Sequence, residues 1–309
     1  MRYSLLSRFR GALLGSLVGE IVGGSSTRAS QGMLTLPKSK DKEANPILLD
    51  WSKIAACGTE SLIRCGRLDL EDWVLCSSMT QPSLLLLKES ASSSEAATAM
   101  LPIALFFHDD EVKLQQQLLA SAAVWQQDTE TSEGVLAVGY AIALALTEKL
   151  DIATLIPRTL TYLGTSETPL VKQLEQVQRL LEQGAGLETT LTQLRRNFQP
   201  SCSYTSIALA FYCFLNTPED FRLCVSRAVR TNHQVQLTST LTGILAGVYN
   251  SMIGIPISWR LAANLVNPGI GPLQLADRLF AVWSGIYDVS AVEHRRHLAV
   301  AAPRVIQPR

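Results

Sequence analysis

A few side chains in this sequence stand at spacings that could carry chemistry. His294-x-x-His297 has the i, i+3 spacing of two metal ligands on one helix face, but Arg295 and Arg296 between them would repel a cation. His108-Asp109-Asp110-Glu111 gathers possible donors, yet acids just ahead of a helix ordinarily cap it. Gly184-Ala185-Gly186 lacks the preceding strand of a phosphate loop and suits a turn between helices, and Arg195-Arg196 suits a solvated helix end. No Ser, His and Asp, or Cys and His, fall where a nucleophile and its base can be paired with conviction. The most informative stretch runs from Asn232 to Trp259, NHQVQLTSTLTGILAGVYNSMIGIPISW. It reads as a polar helix start, a helix with spaced glycines, and a Gly-Ile-Pro-x-x-Trp turn. His233 at its head is either a pocket residue that bonds a ligand or an ordinary helix-start residue.

The elements that must position these residues are helices. Apolar residues recur at helical spacing nearly everywhere, and no convincing alternating strand is present. The first helix is expected over about 8–23, with Gly11, Gly15, Gly19 and Gly23 on one face. Each glycine costs about 1 kcal/mol relative to alanine in a helix. Such a stripe needs a reason: close approach of another helix, exposure of backbone to a ligand, or both. A loop over about 24–46 follows, then a helix from Asp50 to Arg64 stopped by Gly66, and a capped start at Asp69-Leu-Glu-Asp72. Further helices are expected over 96–107, from the acids at 109–110 to about 126, over 130–148, and through Leu170, Leu174, Val177 and Leu181 up to Gly184. The Ser-rich patch 89–94 reads as a loop. Thr217-Pro218-Glu219-Asp220 reads as a helix start with Thr217 as N-cap, and the last helix as 272–287. No 20- to 50-residue period repeats.

Composition narrows the class. The chain has 309 residues, 47% of them hydrophobic and 17% charged, which suits a large packed core. Formal net charge is zero, so no global field favours nucleic acid or an anionic membrane. The cysteines at 57, 65, 76, 202, 213 and 224 show no metal or disulfide-framework spacing and read as buried thiols of a reducing cytoplasm. The apolar start is interrupted by Glu20 and has no cleavage motif of a secretion signal. The uncharged run 231–259 is too rich in Thr, Ser, Asn and Gln for a membrane span and reads as a buried soluble helix. One domain over 1–290 is expected, with 291–309 as a basic, flexible tail.

Several stretches taken in order resemble the ADP-ribosylglycohydrolase family. RFRGALLGSLVGEIVG at 8–23 is similar to the family's opening motif. Gly66-x-Leu68-Asp69-Leu70-Glu71-Asp72 is similar to the stretch after its T-D-D-T motif, and Pro102-Ile103-Ala104-Leu105 to its P-L-A-L. The segment 207–229 and then Gly243, Gly247, Gly254, Pro256 and Trp259 complete the match. The resemblance implies an all-α, orthogonally packed single domain. It also implies cleavage of glycosidic bonds to ADP-ribose, usually with two Mg²⁺ or Mn²⁺ ions held between two acidic motifs.

The acidic motifs are largely missing. The aspartate of the opening falls on Glu20, and T-D-D-T falls on Leu49-Asp50-Trp51-Ser52. The final G-G-D-x-D-T falls on Asn232-His233-Gln234-Val235-Gln236-Leu237. Of the family's motif carboxylates only Glu20 and Asp50 remain as residual metal ligands. Trp51, Ser52, His233, Gln234, Gln236 and Leu237 then become degenerate pocket positions. Hard divalent ions want mostly carboxylate oxygens, and a pair of them brings four positive charges to neutralise. The resemblance therefore implies a catalytically impaired family member with a regulatory or binding role and no resident cofactor. The alternatives are a hydrolase that uses a single Mg²⁺ or Mn²⁺ on Glu20 and Asp50, and a metal-free binder of an ADP-ribose-like nucleotide with Trp51, His233 and Gln236 in its pocket. A protein partner fits the regulatory reading.

Overall fold

In the computed structural model the described residues are 3–28, 48–80, 92–125, 128–164, 167–197, 204–266 and 271–286. The tail 291–309, with His294 and His297, lies outside them, as does Cys202. Among the described residues there are fifteen α-helices and no strand.

Helices α1 (Leu5–Arg28) and α2 (Asp50–Cys65) open the chain. The first extends beyond the expected 8–23 at both ends, and residues 29–46 of the loop expected from residue 24 lie outside the described residues. Gly23 and Gly24 do not stop it, because both lie against Gln236 of a later helix. That packing outweighs the glycines' poor propensity. The second helix ends as expected. Gly66 has φ 66°, and its N–H reaches the Leu62 carbonyl as a left-handed cap. In α3 (Leu70–Thr80), Asp69 Oδ1 accepts from the Asp72 N–H at 3.0 Å.

The Ser-rich patch read as a loop through residue 94 instead starts a helix, α4 (Ser93–Ala99). The N–H and hydroxyl of Ser92 reach Glu95 Oε2 at 2.9 and 2.6 Å, so the serine run supplies a cap. The single helix expected over 96–107 is broken at Met100, and α5 (Leu101–Phe106) restarts with Pro102 in its first turn, where no N–H is needed. In α6 (Glu111–Trp125), Asp110 Oδ1 caps the Lys113 N–H at 3.0 Å. Asp128 caps α7 (Thr129–Leu146), which is almost wholly buried.

The third quarter holds α8 (Leu155–Leu163), α9 (Pro169–Glu182) capped by Thr168, α10 (Leu187–Asn197), α11 (Tyr204–Asn216) and α12 (Phe221–Arg230). The cap of α12 is Asp220, not Thr217. Asp220 Oδ1 accepts from the Leu223 N–H at 2.9 Å, while Thr217 belongs to the preceding turn. Last come α13 (Val235–Gly254), α14 (Ile257–Val266) and α15 (Pro272–Trp283). The last helix ends before the expected residue 287, which lies outside the described residues.

The centre of the fold is the crossing of α1 and α13. A Cβ built on Gly11 would sit 2.1 Å from the Gly247 carbonyl oxygen, one on Gly15 2.2 Å from that of Gly243, and one on Gly19 2.1 Å from that of Ser239. The glycine stripe thus lets two helix backbones touch. Helices α11 and α12 pack on other sides of α13, and α15 packs on α1. One cluster of buried apolar side chains runs from Phe9 of α1 to Trp283 of α15. No single described helix is long and apolar enough to cross a membrane. The pair α13 and Ile257–Ala263 qualifies by composition but is bent by 109°, and most of α13 is buried in the core.

Candidate functional site

The segments 49–52 and 232–237 converge on the last turns of α1. Glu20 is 1% exposed there, and its Oε1 accepts the Leu49 N–H at the mouth of α2. Burial pushes the Glu20 carboxyl up to about 7, opposed by the Leu49 N–H, the Ser52 hydroxyl and the charge of Lys53. The Ser52 hydroxyl lies near enough to favour the ionised carboxyl, but no acceptor completes a hydrogen bond to it, so its Oγ is buried and unsatisfied. Asp50 begins α2, and Lys53 Nζ, one turn on, is 2.8 Å from its Oδ1. Trp51 is 4% exposed and belongs to the apolar core.

The other segment forms the head of α13. Asn232 (φ 51°) and Gln234 (φ 37°) both occupy the left-handed region, at some cost for a residue with a Cβ. Thr238 Oγ1 donates to the His233 carbonyl at 2.7 Å, and Arg195 Nη2 reaches the Thr231 carbonyl at 3.3 Å. Arg195, read as a solvated helix end, is therefore exposed but tied to this turn. Ser206 Oγ donates to Gln234 Oε1 at 2.7 Å. Gln236 Nε2 lies 3.2 Å from where a Cβ on Gly24 would be, so this side chain rests on α1 one turn after Glu20. Leu237 is buried.

Beside Glu20 a cavity of about 300 Å³ opens between α1, α2 and α15. Leu13, Leu17, Leu48, Leu101 and Leu275 contribute to its wall, with Glu20, Ser52, Lys53 and Glu60 among its polar groups. Lys53 and Ser206 had no assigned role in the sequence reading. The i, i+3 spacing of Asp50 and Lys53 could have signalled their pair, whereas nothing local links Ser206 to Gln234, 28 positions away. His108 is buried between aromatic rings, 5.6 Å from Phe9 and 4.9 Å from Trp283, with Nδ1 2.8 Å from the Leu105 carbonyl. It sits in the core, and the acids after it serve the start of α6.

The sequence model of the family described as ADP-ribosylglycohydrolase matches residues 1–288. The chain belongs to the ADP-ribosylglycohydrolase family. A solved structure described as an ADP-ribosylglycohydrolase-related protein complex superposes with a TM-score of 0.64. It covers 90% of this chain and 99% of its own, at 19% identity, which supports the shared fold. No curated protein matches the sequence.

Members of the ADP-ribosylglycohydrolase family typically depend on metal, and the donor set here fits a metal pair poorly. Asp50 is committed to Lys53, Glu20 to the Leu49 N–H, and the amide oxygen of Gln234 to Ser206. Trp51 and Leu237 supply no side-chain oxygen. Among the described residues no three His, Cys, Asp or Glu side chains gather as a metal-holding group. Two carboxylates carry half the charge that two divalent ions bring.

Proposed function

We propose that this family member has lost two-metal hydrolysis of ADP-ribosyl bonds and acts by binding, in a regulatory role in the cytoplasm. The observation that carries the reading is that side chains at the former metal positions satisfy groups of the fold itself: Glu20 the Leu49 N–H, Asp50 Lys53, and Gln234 Ser206. An ion entering here must break these contacts, and the neutral amides return little of the lost charge balance. Residues 1–290 would act as one helical unit, with 291–309 as a basic tail.

An ADP-ribose-like nucleotide is the ligand this reading favours. Gln234 is exposed, and His233 and Gln236 are half-buried at the head of α13, where amide and imidazole groups can bond a nucleotide without a metal. The test has two arms. Incubated with ADP-ribosyl-arginine peptide or O-acetyl-ADP-ribose in Mg²⁺ or Mn²⁺, the protein yields no released ADP-ribose. Turnover that disappears in Asp50→Asn would overturn the proposal and favour single-ion hydrolysis on Glu20 and Asp50. In thermal-shift titration ADP-ribose raises the melting temperature without added metal, and a flat response there removes the nucleotide in favour of a protein partner.

A further inference from the structure

The cavity beside Glu20 has a composition that the loss of metal chemistry does not account for. Its leucines come from α1, α5 and α15 and from Leu48, and α2 adds Ala55 and Ala56 beside Ser52 and Thr59. Among the described residues two carboxyl groups line it, Glu20 and Glu60, and one cation, Lys53. That cation is taken up by Asp50 at 2.8 Å. The cavity therefore presents an excess of carboxyl groups beside its leucines, and the Ser52 Oγ at its Glu20 end completes no hydrogen bond and keeps lone pairs that can accept one. Its volume of about 300 Å³ stands at the small end of the range for small-molecule pockets.

We propose that the cavity between α1, α2 and α15 binds a small apolar molecule with one primary ammonium group, held by Glu20 and Ser52 and packed against the leucines. An ammonium has three donors and a full positive charge. It gives Glu20 a directly hydrogen-bonded counter-charge in addition to the field of Lys53, and a charge-assisted hydrogen bond is among the stronger polar contacts. The hydrocarbon part displaces water from Leu13, Leu17 and Leu275. A neutral ligand of the same shape satisfies the wall but leaves the carboxyl without its cation, and an anionic ligand meets Glu20 and Glu60 with like charge. This inference rests on the reading that Glu20 no longer serves a metal pair.

Hexylamine, hexan-1-ol and hexanoate share one hydrocarbon body and differ in the head group. Titrated calorimetrically into the full-length protein, hexylamine binds at least about tenfold more tightly than hexan-1-ol, and hexanoate does not bind. Glu20→Gln weakens hexylamine by about tenfold and changes hexan-1-ol by less than about threefold. Ala56→Phe, which fills the cavity from α2 and leaves Glu20 untouched, abolishes both and serves where Glu20→Gln does not fold. Equal affinity for amine and alcohol, hexylamine binding that neither substitution changes, or no hexylamine binding at all overturns the inference. Mg²⁺ and Mn²⁺ titrated in parallel separate the two claims. Metal binding lost in Glu20→Gln sinks the reading of a lost metal site, whereas absence of both metal and amine binding sinks only this inference.

Discussion

Replacing Gly15 with alanine sets two effects of known sign against each other. Alanine favours a helix over glycine by about 1 kcal/mol, so propensity alone predicts a more stable protein. The structure predicts the reverse. The new Cβ would lie 2.2 Å from the Gly243 carbonyl oxygen and 3.2 Å from the Gly247 Cα, both backbone atoms with no rotamer to yield. An ordinary contact needs about 1 Å more, so α1 and α13 must separate, and the core on both sides loses contacts. Overpacking costs about 1–3 kcal/mol where side chains can shift, and more is expected where only backbone can. With the cost at or above the top of that range and the propensity gain of about 1 kcal/mol subtracted, Gly15→Ala should lose at least about 2 kcal/mol. Gly243→Ala is the mirror case, since its Cβ would lie 2.1 Å from the Gly15 oxygen. Once one alanine has parted the helices the second meets a smaller clash, so the double variant should cost at least about 1 kcal/mol less than the sum. Urea denaturation followed by circular dichroism reads these as shifts in midpoint at a constant slope. Gly186→Ala is the control, because a Cβ there meets nothing within 4 Å. It should change stability by less than about 1 kcal/mol. A Gly15→Ala protein as stable as the parent, or a double variant that costs the full sum, would refute the packing argument.

Three further outcomes follow from named residues. Glu20 titrates at about 7 in the fold against an ordinary 4.5, so the folded state holds its proton more tightly. The stability this brings is complete below about 4.5 and is lost as pH rises through 7, about 3 kcal/mol over the window. Denaturant midpoints from pH 5 to 8.5 should fall accordingly, and Glu20→Gln should flatten the profile. A Glu20→Gln profile as steep as the parent's would assign the fall to another group. Ser251 has φ 60° and ψ 179°, a region nearly reserved for glycine, and its Oγ accepts the Ile253 N–H at 3.2 Å. Ser251→Gly should relieve more strain than the lost hydrogen bond returns and gain about 1 kcal/mol, read as a melting temperature raised by one or two degrees. Asn232, at φ 51°, should gain a few tenths of a kcal/mol as glycine, within reach of paired denaturation curves.

Local patterning carried the helices far. Gly66, Asp69 and Gly184 mark ends and starts that the structure keeps. The misreadings share one cause, which is that a local signal can have more than one outcome. Ser92 to Ser94 have loop composition, yet Glu95 three residues on turns Ser92 into a cap. Thr217-Pro218 has the form of a helix start, yet Asp220 supplies the cap. Gly23 and Gly24 are helix breakers by propensity, and contact with Gln236 carries α1 past them.

At the site the division is sharper. The residue types themselves, Glu20 and Asp50 as carboxylates and Gln234, Gln236 and Leu237 without one, are written in the sequence, and their match to the family's motifs rests on the resemblance. Sequence by itself also determined the glycine stripe, because a period of four is written in the chain, though not which neighbour the stripe meets. Tertiary structure alone decided that this neighbour is α13, that Asp50 is spent on Lys53 and Gln234 on Ser206, and that a cavity lined in part by leucines adjoins Glu20. The physical reason is one of range. Caps and periodicity depend on residues within a turn or two, whereas the charge and hydration of a buried carboxyl depend on whichever distant segments the fold brings against it.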